Sequence, residues 1–281
     1  MRIAYLGPAG TFTEDALLEA LGPGAAFEPL RTATVHDAIV AVERGEAERA
    51  LVPFENSIEG SVRSTLDTLA FDVAGVTIVG EHDFAVHANL IAGRELELEA
   101  IERVLSHGQP LAQCARFLRR HLPEAERVVS TSTAEAVRLV CEPVNAGRGW
   151  AAIGARSAVA EYGATILAES IEDEANNVTR FVWIAPAGTE PGEGGTWKTS
   201  LVFAELGEDH PGALVEALRE FSSRGVNLSR IESRPLRSEL GRYMFFCDLE
   251  GRETERAVAE AIAALRTKAE SVRILGSYPV D

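Results

Sequence analysis

Asn176-Asn177-Val178-Thr179-Arg180-Phe181 places an amide pair, a hydroxyl and a guanidinium at the start of an apolar run, Phe181-Val182-Trp183-Ile184. Such a run, rich in aromatic and β-branched residues, reads as a buried strand. Polar groups at its mouth are either satisfied by neighbours or held ready for a ligand. Taken alone, a satisfied strand-edge cluster explains them.

Four further polar clusters follow apolar strands. Gly7-Pro8-Ala9-Gly10-Thr11-Phe12-Thr13-Glu14 pairs a glycine turn with a Thr11–Glu14 capping box, and the helix start it caps offers N–H groups to an anion. Pro53-Phe54-Glu55-Asn56-Ser57-Ile58-Glu59-Gly60-Ser61 supplies an acceptor, an amide and a hydroxyl, although a plain loop would be as polar. In Ser106-His107-Gly108-Gln109-Pro110-Leu111-Ala112-Gln113-Cys114, Pro110 suits the first helical position, which makes Gln109 the cap and sets Gln113 on its face. His107 there is either structural or functional, and Cys114 reads as core. In Ser130-Thr131-Ser132-Thr133-Ala134-Glu135, Ser132 and Glu135 repeat the capping box. These clusters supply hydroxyls, amides and one or two carboxylates. They contain no His/Cys metal set, no phosphate-loop lysine and no serine–histidine pair, so neither metal nor cofactor is expected. A cleft so lined binds and polarises a small, oxygen-rich anion.

The elements that would position these clusters alternate. Strands at 3–6, 50–53, 104–107, 128–129, 151–154 and 179–185 are interleaved with helices at 13–21, 62–69, 111–122, 133–140 and 155–162, and 76–81 and 84–91 are extended. Alternation of this kind predicts an α/β fold with mainly parallel sheets and ligands beyond the carboxyl ends of the strands. A Gly/Pro-rich connector at 186–197 separates residues 1–185 from a smaller module, 198–281. The module reads strand 199–206, helix 212–222, strands 228–235 and 243–249, helix 253–266 and strand 272–276, which is the ferredoxin-like βαββαβ order.

A formal net charge of −16 argues against a nucleic-acid partner. It also means that an anionic substrate needs a local positive field from helix starts, hydroxyls or arginines. No apolar run approaches the ~18 residues of a membrane span, and the start of the chain is too short for a signal-peptide core. Three scattered cysteines, Cys114, Cys141 and Cys247, fit free thiols in the cytoplasm.

In their order, these motifs resemble the prephenate dehydratase family. The matching residues are Gly7-Pro8-x-Gly10-Thr11-Phe12, Pro53-x-Glu55-Asn56-Ser57-x-x-Gly60, Ser106-His107-x-Gln109-Pro110-Leu111-x-Gln113-Cys114 and Asn177-x-Thr179-Arg180-Phe181. The tail resembles the family's regulatory ACT domain through Gly212-Ala213-Leu214 and Asn227-Leu228-x-x-Ile231-Glu232-Ser233-Arg234-Pro235. The resemblance implies two lobes like a type 2 periplasmic binding protein, with the active site between them and crossings near 76–91 and 177–185. It also implies a monofunctional enzyme, since Gly7 leaves no room ahead of it for the chorismate mutase bundle fused in some relatives.

The implied reaction is the decarboxylating dehydration of prephenate to phenylpyruvate, with arogenate dehydratase as the alternative and a non-catalytic ligand sensor as a third. Thr179 is implied as catalytic, with Glu55 relaying a proton and Asn56 and Ser57 beside it. Thr11, Ser106, His107, Gln109, Gln113, Asn177, Arg180 and Phe181 are implied as substrate contacts. Gly212, Ala213, Leu214, Asn227, Leu228, Glu232, Ser233, Arg234 and Pro235 are implied as an L-phenylalanine site between ACT domains of a homo-oligomer, a dimer or tetramer.

Overall fold

The structure is a computed structural model that describes residues 1–206 and 210–280; residues 207–209 and 281, within the expected regulatory module, lie outside the described residues. The chain opens with β1 (Arg2–Leu6), α1 (Phe12–Leu21), β2 (Glu28–Thr32), α2 (Val35–Glu43), β3 (Arg49–Asn56), the short β4 (Gly60–Ser61), α3 (Arg63–Asp67) and β5 (Val76–Ala85). There follow β6 (Asn89–Ala92), β7 (Arg103–Ser106), α4 (Gly108–Gln113), α5 (Ala115–His121), β8 (Glu126–Val129), α6 (Thr133–Cys141), β9 (Trp150–Gly154), α7 (Ser157–Tyr162), β10 (Thr165–Ala168) and β11 (Val178–Pro186).

Two sheets result, ordered β2-β1-β3-β11-β5 and β10-β6-β9-β7-β8. The chain leaves the first lobe at 86–88 and returns at 169–177. Two α/β lobes joined by two crossings form the architecture of type 2 periplasmic binding proteins. The sheets are mixed rather than mainly parallel. β1 is parallel to β2 and β3, whereas β11 is antiparallel to β3 and β5. The reason is the double crossing: β5 carries the chain out and β11 brings it back alongside, so the two run in opposite directions.

Besides the two-residue β4, three elements go beyond the sequence reading. β2 is an edge strand without a buried residue and carries no apolar run, and β10 is an edge strand of four residues whose Ile166, Leu167 and Ala168 are only half-buried. Helix α2, by contrast, has Val35, Ala38, Ile39 and Val42 at helical spacing, all buried. The helix expected over 111–122 is two helices, α4 and α5, that part at Cys114. The Asp173 carboxylate accepts the Arg116 N–H at 3.0 Å and so starts the second one.

The module expected to be regulatory consists of β12 (Thr196–Ala204), α8 (Ala213–Ser222), β13 (Leu228–Pro235), β14 (Tyr243–Glu250), α9 (Arg256–Leu265) and β15 (Ser271–Val280). Its antiparallel sheet has the order β13-β14-β12-β15, which with two helices is the ferredoxin-like fold. Strand alternation gives the sheet two apolar faces. Leu201, Phe203 and Leu249 meet Ala217 and Phe221 of α8 and Ile262 and Leu265 of α9. On the other face, Val202, Met244, Phe246 and Leu275 share one core with Ile39, Val52, Phe54, Ile78 and Val182 of the first lobe. At Gly276 an added Cβ would lie 2.2 Å from the Ile78 carbonyl oxygen, so only glycine lets β15 approach β5 this closely. The connector is rich in glycine and proline, yet the sheet it leads to is packed directly behind the first lobe.

Among the described residues, no helix is long and apolar enough to cross a membrane.

Candidate active site

A cavity of about 330 Å³ opens between the lobes. The first lobe contributes Thr11, Phe12 and Thr13 at the start of α1, Pro53 and Asn56 from β3, and Thr179 and Phe181 from β11. From the second come His107, Gln109, Pro110 and Gln113 around α4, and Thr131, Ser132 and Thr133 at the start of α6. Phe12, Thr13, Thr131, Ser132 and Thr133 belong to clusters that the sequence assigns to the cleft, although the family resemblance names none of them as a substrate contact. Their signal was a hydroxyl cap directly after a strand, the one place where helix N–H groups face a cleft.

Thr11 and Ser132 do cap their helices, accepting the N–H of Glu14 at 3.3 Å and of Glu135 at 3.0 Å. Neither glutamate closes the expected box. Glu14 instead accepts from Gly10 N at 2.6 Å, from the Tyr5 hydroxyl at 2.5 Å and from Arg31 at 2.9 Å. Burial pulls the Glu14 carboxyl up, but these three donors outweigh it and hold it below the usual carboxylate range. Glu135 pairs with Arg138 at 2.7 Å. Both first turns therefore keep N–H groups that no glutamate claims, a positive end at the cavity wall.

Thr179 and Asn56 form the centre of the first-lobe wall. The Asn56 Nδ2 donates to Thr179 Oγ1 at 2.9 Å and to Asn177 Oδ1 at 2.8 Å. Asn56 Oδ1 accepts the N–H groups of Ile58 and Glu59, each at 3.0 Å. Those backbone groups can only donate, which fixes the amide's orientation. Thr179 therefore receives a hydrogen bond from Asn56, and its own proton is left to point elsewhere. Phe181 lies two residues on, 2% exposed and edge-on to Phe84.

Glu55 and Arg180 are corrected. The register of β11 against β3 slips between Arg180 and Phe181, so that Phe54 is an extra residue in β3. A bulge turns two successive side chains to one side. Pro53 and Asn56 both face the cavity, while Phe54 and Glu55 both face the regulatory sheet. Glu55 there approaches Arg180 at 3.6 Å and Arg230 at 3.5 Å. Arg180 leaves on that same side and binds Asp248 at 2.6 Å. Neither lines the cavity.

Two serines are corrected as well. Ser57 Oγ donates to the Asn176 carbonyl at 2.7 Å and accepts from Val178 N at 2.9 Å, which ties down the start of β11. Ser106 is fully buried and donates to the Ile153 carbonyl at 2.8 Å inside the second sheet.

Around α4 the cap is His107, not Gln109: its Nδ1 accepts from Gln109 N at 3.4 Å. The helix starts at Gly108, which puts Pro110 in the first turn but not at its first position. Gln113 spans the lobes, accepting from Asn177 Nδ2 and donating to Glu59, each at 3.3 Å. The opposite side of the cleft is clasped too. Asp15 accepts the N–H groups of Arg156 and Ser157 at 3.0 and 2.9 Å, and Gly10 passes so close to Ala158 that a Cβ would lie 2.8 Å from its Cα.

In the regulatory module, a cavity of about 200 Å³ is lined by Ala213, Leu214, Tyr243 and Phe245, among others, at the start of α8, where Gly212 provides no side-chain cap. The rest of the expected effector set does not line it, although Ser233 and Pro235 pair with Phe245 and Tyr243. Asn227 binds Glu250 at 2.8 Å, and Leu228, Glu232, Ser233 and Pro235 lie along the edge strand β13. Arg234 is corrected: its guanidinium grips Asp67 of the first lobe at 2.7 and 2.8 Å.

Residues 3–189 match the prephenate dehydratase family, and residues 201–267 match the ACT domain. The chain belongs to the prephenate dehydratase family. Among its relatives, the prephenate dehydratase of Mycolicibacterium smegmatis is 41% identical, over 100% of this chain and 91% of its own. The crystal structure of prephenate dehydratase from Arthrobacter aurescens, in complex with L-Phe, superimposes with a TM-score of 0.89 at 42% identity, covering 99% of this chain and 90% of that one. A third structure, described as a novel type of quorum quenching acylase, has a TM-score of 0.87 at 30% identity over 100% of this chain and 98% of its own.

Proposed function

We propose that the chain converts prephenate to phenylpyruvate, a step of L-phenylalanine biosynthesis, and that L-phenylalanine controls it through the ACT domain. The observation that carries this reading is Thr179, its oxygen satisfied by Asn56 and its proton unclaimed, in a wall of amides, hydroxyls and helix starts.

Prephenate carries a ring carboxylate, a pyruvyl carboxylate and a ring hydroxyl. As the bond to the ring carboxylate breaks, its electron pair moves through the diene and expels the hydroxyl. CO2 leaves, hydroxide takes one proton to become water, and the ring becomes aromatic. In this reading Thr179 donates to the departing oxygen, where fixed donors matter most. The starts of α1 and α6, with Gln109 and Gln113, hold the carboxylates, and Phe181, Pro53 and Val86 keep the departing one dry. His107 is the one ionisable side chain among the described lining residues. Since Nδ1 accepts from a backbone N–H, the neutral ring carries its proton on Nε2. It is placed to relay the proton that hydroxide takes. No carboxylate stands among those lining residues to pair with the ammonium of arogenate, which favours prephenate. An acylase would set a nucleophile beside a base, whereas the Thr179 hydroxyl faces an amide.

The catalytic part in this proposal is 1–185, the connector 186–197 and the regulatory part 198–281. The A. aurescens relative holds L-Phe, and the small cavity at the start of α8 supports an effector site there. The unpaired edge of β13, with Ile231 46% exposed, supports a dimer or tetramer built through this module. We place the enzyme in the cytoplasm, in keeping with its free cysteines. Side-by-side turnover of prephenate and arogenate tests the assignment. Phenylpyruvate formation, with its rate altered by L-phenylalanine, is expected; preference for arogenate, or turnover of neither, overturns it.

A further inference from the structure

Arg180 follows Thr179 on β11 and leaves the strand on the face away from the cavity. Its side chain is 11% exposed and meets three carboxylates: Asp248 at 2.6 Å, Glu81 at 3.4 Å and Glu55 at 3.6 Å. Asp248 lies on β14 of the regulatory sheet and is 1% exposed. Its other oxygen accepts from Ser200 Oγ at 2.6 Å, which is 2.8 Å from the Tyr278 hydroxyl. Burial alone would lower the Arg180 pKa, but Asp248 and Glu81 outweigh it and raise it, so the guanidinium stays charged.

Adhesion does not explain this pair. The surrounding interface is already apolar, and a buried ion pair seldom adds stability over hydrophobic residues of the same size. What such a pair does add is direction. β3 is bulged opposite Arg180, so the ladder on that side of β11 is irregular at this point. Arg180 Nε has no hydrogen-bond partner, and its guanidinium rests over the Phe54 ring at 4.8 Å. The contact to Asp248, at 2.6 Å against 3.4 Å to Glu81, is the tightest of those that locate the side chain. Thr179 and Arg180 share a peptide bond, with Cα atoms about 3.8 Å apart, so a shift of the Arg180 backbone carries the Thr179 backbone with it.

We propose that Asp248, a residue of the regulatory sheet, is a positioning residue for the reaction: by holding Arg180 from behind, it aims the Thr179 hydroxyl into the cavity. This rests on the reading of Thr179 as the donor to the leaving oxygen. It also gives the regulatory module a direct mechanical hold on the catalytic strand, one residue from the chemistry.

A double-mutant cycle on the full chain, with prephenate as substrate, tests it. Asp248→Asn is expected to lower kcat about tenfold or more while KM changes less than about threefold, the pattern of a misaimed group rather than a lost binding contact. In a Thr179→Ala background the same substitution is expected to cost nothing further, because the group it aims is gone. Wild-type kcat in Asp248→Asn, or an equal cost in both backgrounds, overturns the proposal. A Thr179→Ala enzyme with wild-type turnover overturns the reading of the cavity instead. If Asp248→Asn does not fold, Ser200→Ala takes its place, since it removes one hydrogen bond from Asp248 and no charge. It is then expected to lower kcat about two- to fivefold, again only when Thr179 is present. An unchanged kcat, or a loss that persists without Thr179, overturns the proposal.

Discussion

Asn56 and Thr179 stand 2.9 Å apart with the direction of their hydrogen bond fixed, because Asn56 spends its oxygen on two backbone N–H groups and can offer Thr179 only its nitrogen. A threonine so bonded keeps its proton for something else. Replacing Thr179 by alanine is expected to lower kcat about 100-fold or more, the usual cost of losing a donor to developing charge, with KM little changed. Steady-state kinetics with prephenate decide it. Turnover near wild type in a folded protein rejects the role.

Glu55 gives the opposite expectation from the one its motif suggests. As a proton relay, its conversion to glutamine would remove the acidic limb of the pH–rate profile. Facing Arg180 and Arg230 on the regulatory side, it has no path to the cavity. Glu55→Gln is expected to leave the acidic limb in place and to lower thermal stability. A lost or shifted limb, measured as kcat against pH, restores the relay.

At Gly276 the regulatory sheet packs against the backbone of the first lobe with no room for a Cβ. Gly276→Ala is expected to cost about 1–3 kcal/mol, as overpacking does, since backbone rather than a flexible side chain stands in the way. The melting temperature should fall, and protease should cut the connector at 188–195 faster. An unchanged melting temperature would show that the two strands can part at no cost.

Acid stability follows from Glu14. Its carboxyl is held below the usual range in the folded state, so it takes up a proton more readily when unfolded. Its contribution is thus complete above the unfolded value of about 4.3 and is lost as pH falls through the folded one. Glu14→Gln is expected to be less stable than wild type at neutral pH and to lose less on acidification. Urea midpoints at pH 7 and pH 3 measure both, and parallel losses in the two proteins reject the account.

The sequence by itself determined the alternating α/β order, the βαββαβ module, and the residues Thr11, Asn56, Gln113, Asn177, Thr179 and Phe181 that line the cavity or bridge it. These were legible because helix caps, strand ends and turn residues are local: a neighbour three or four positions away is enough to fix them. Only the tertiary structure decided which way Glu55 and Arg180 point. One extra residue at Phe54 reverses the alternation of β3, and a bulge is set by pairing with a strand some 120 residues away rather than by nearby composition. The same holds for Ser57 and Ser106, whose hydroxyls are taken up by backbone carbonyls that the fold brings to them. It holds most for Asp248. On the chain it is one acidic residue in an apolar strand; folded, it is buried against Arg180, because a charge in that core persists only where an opposite charge meets it.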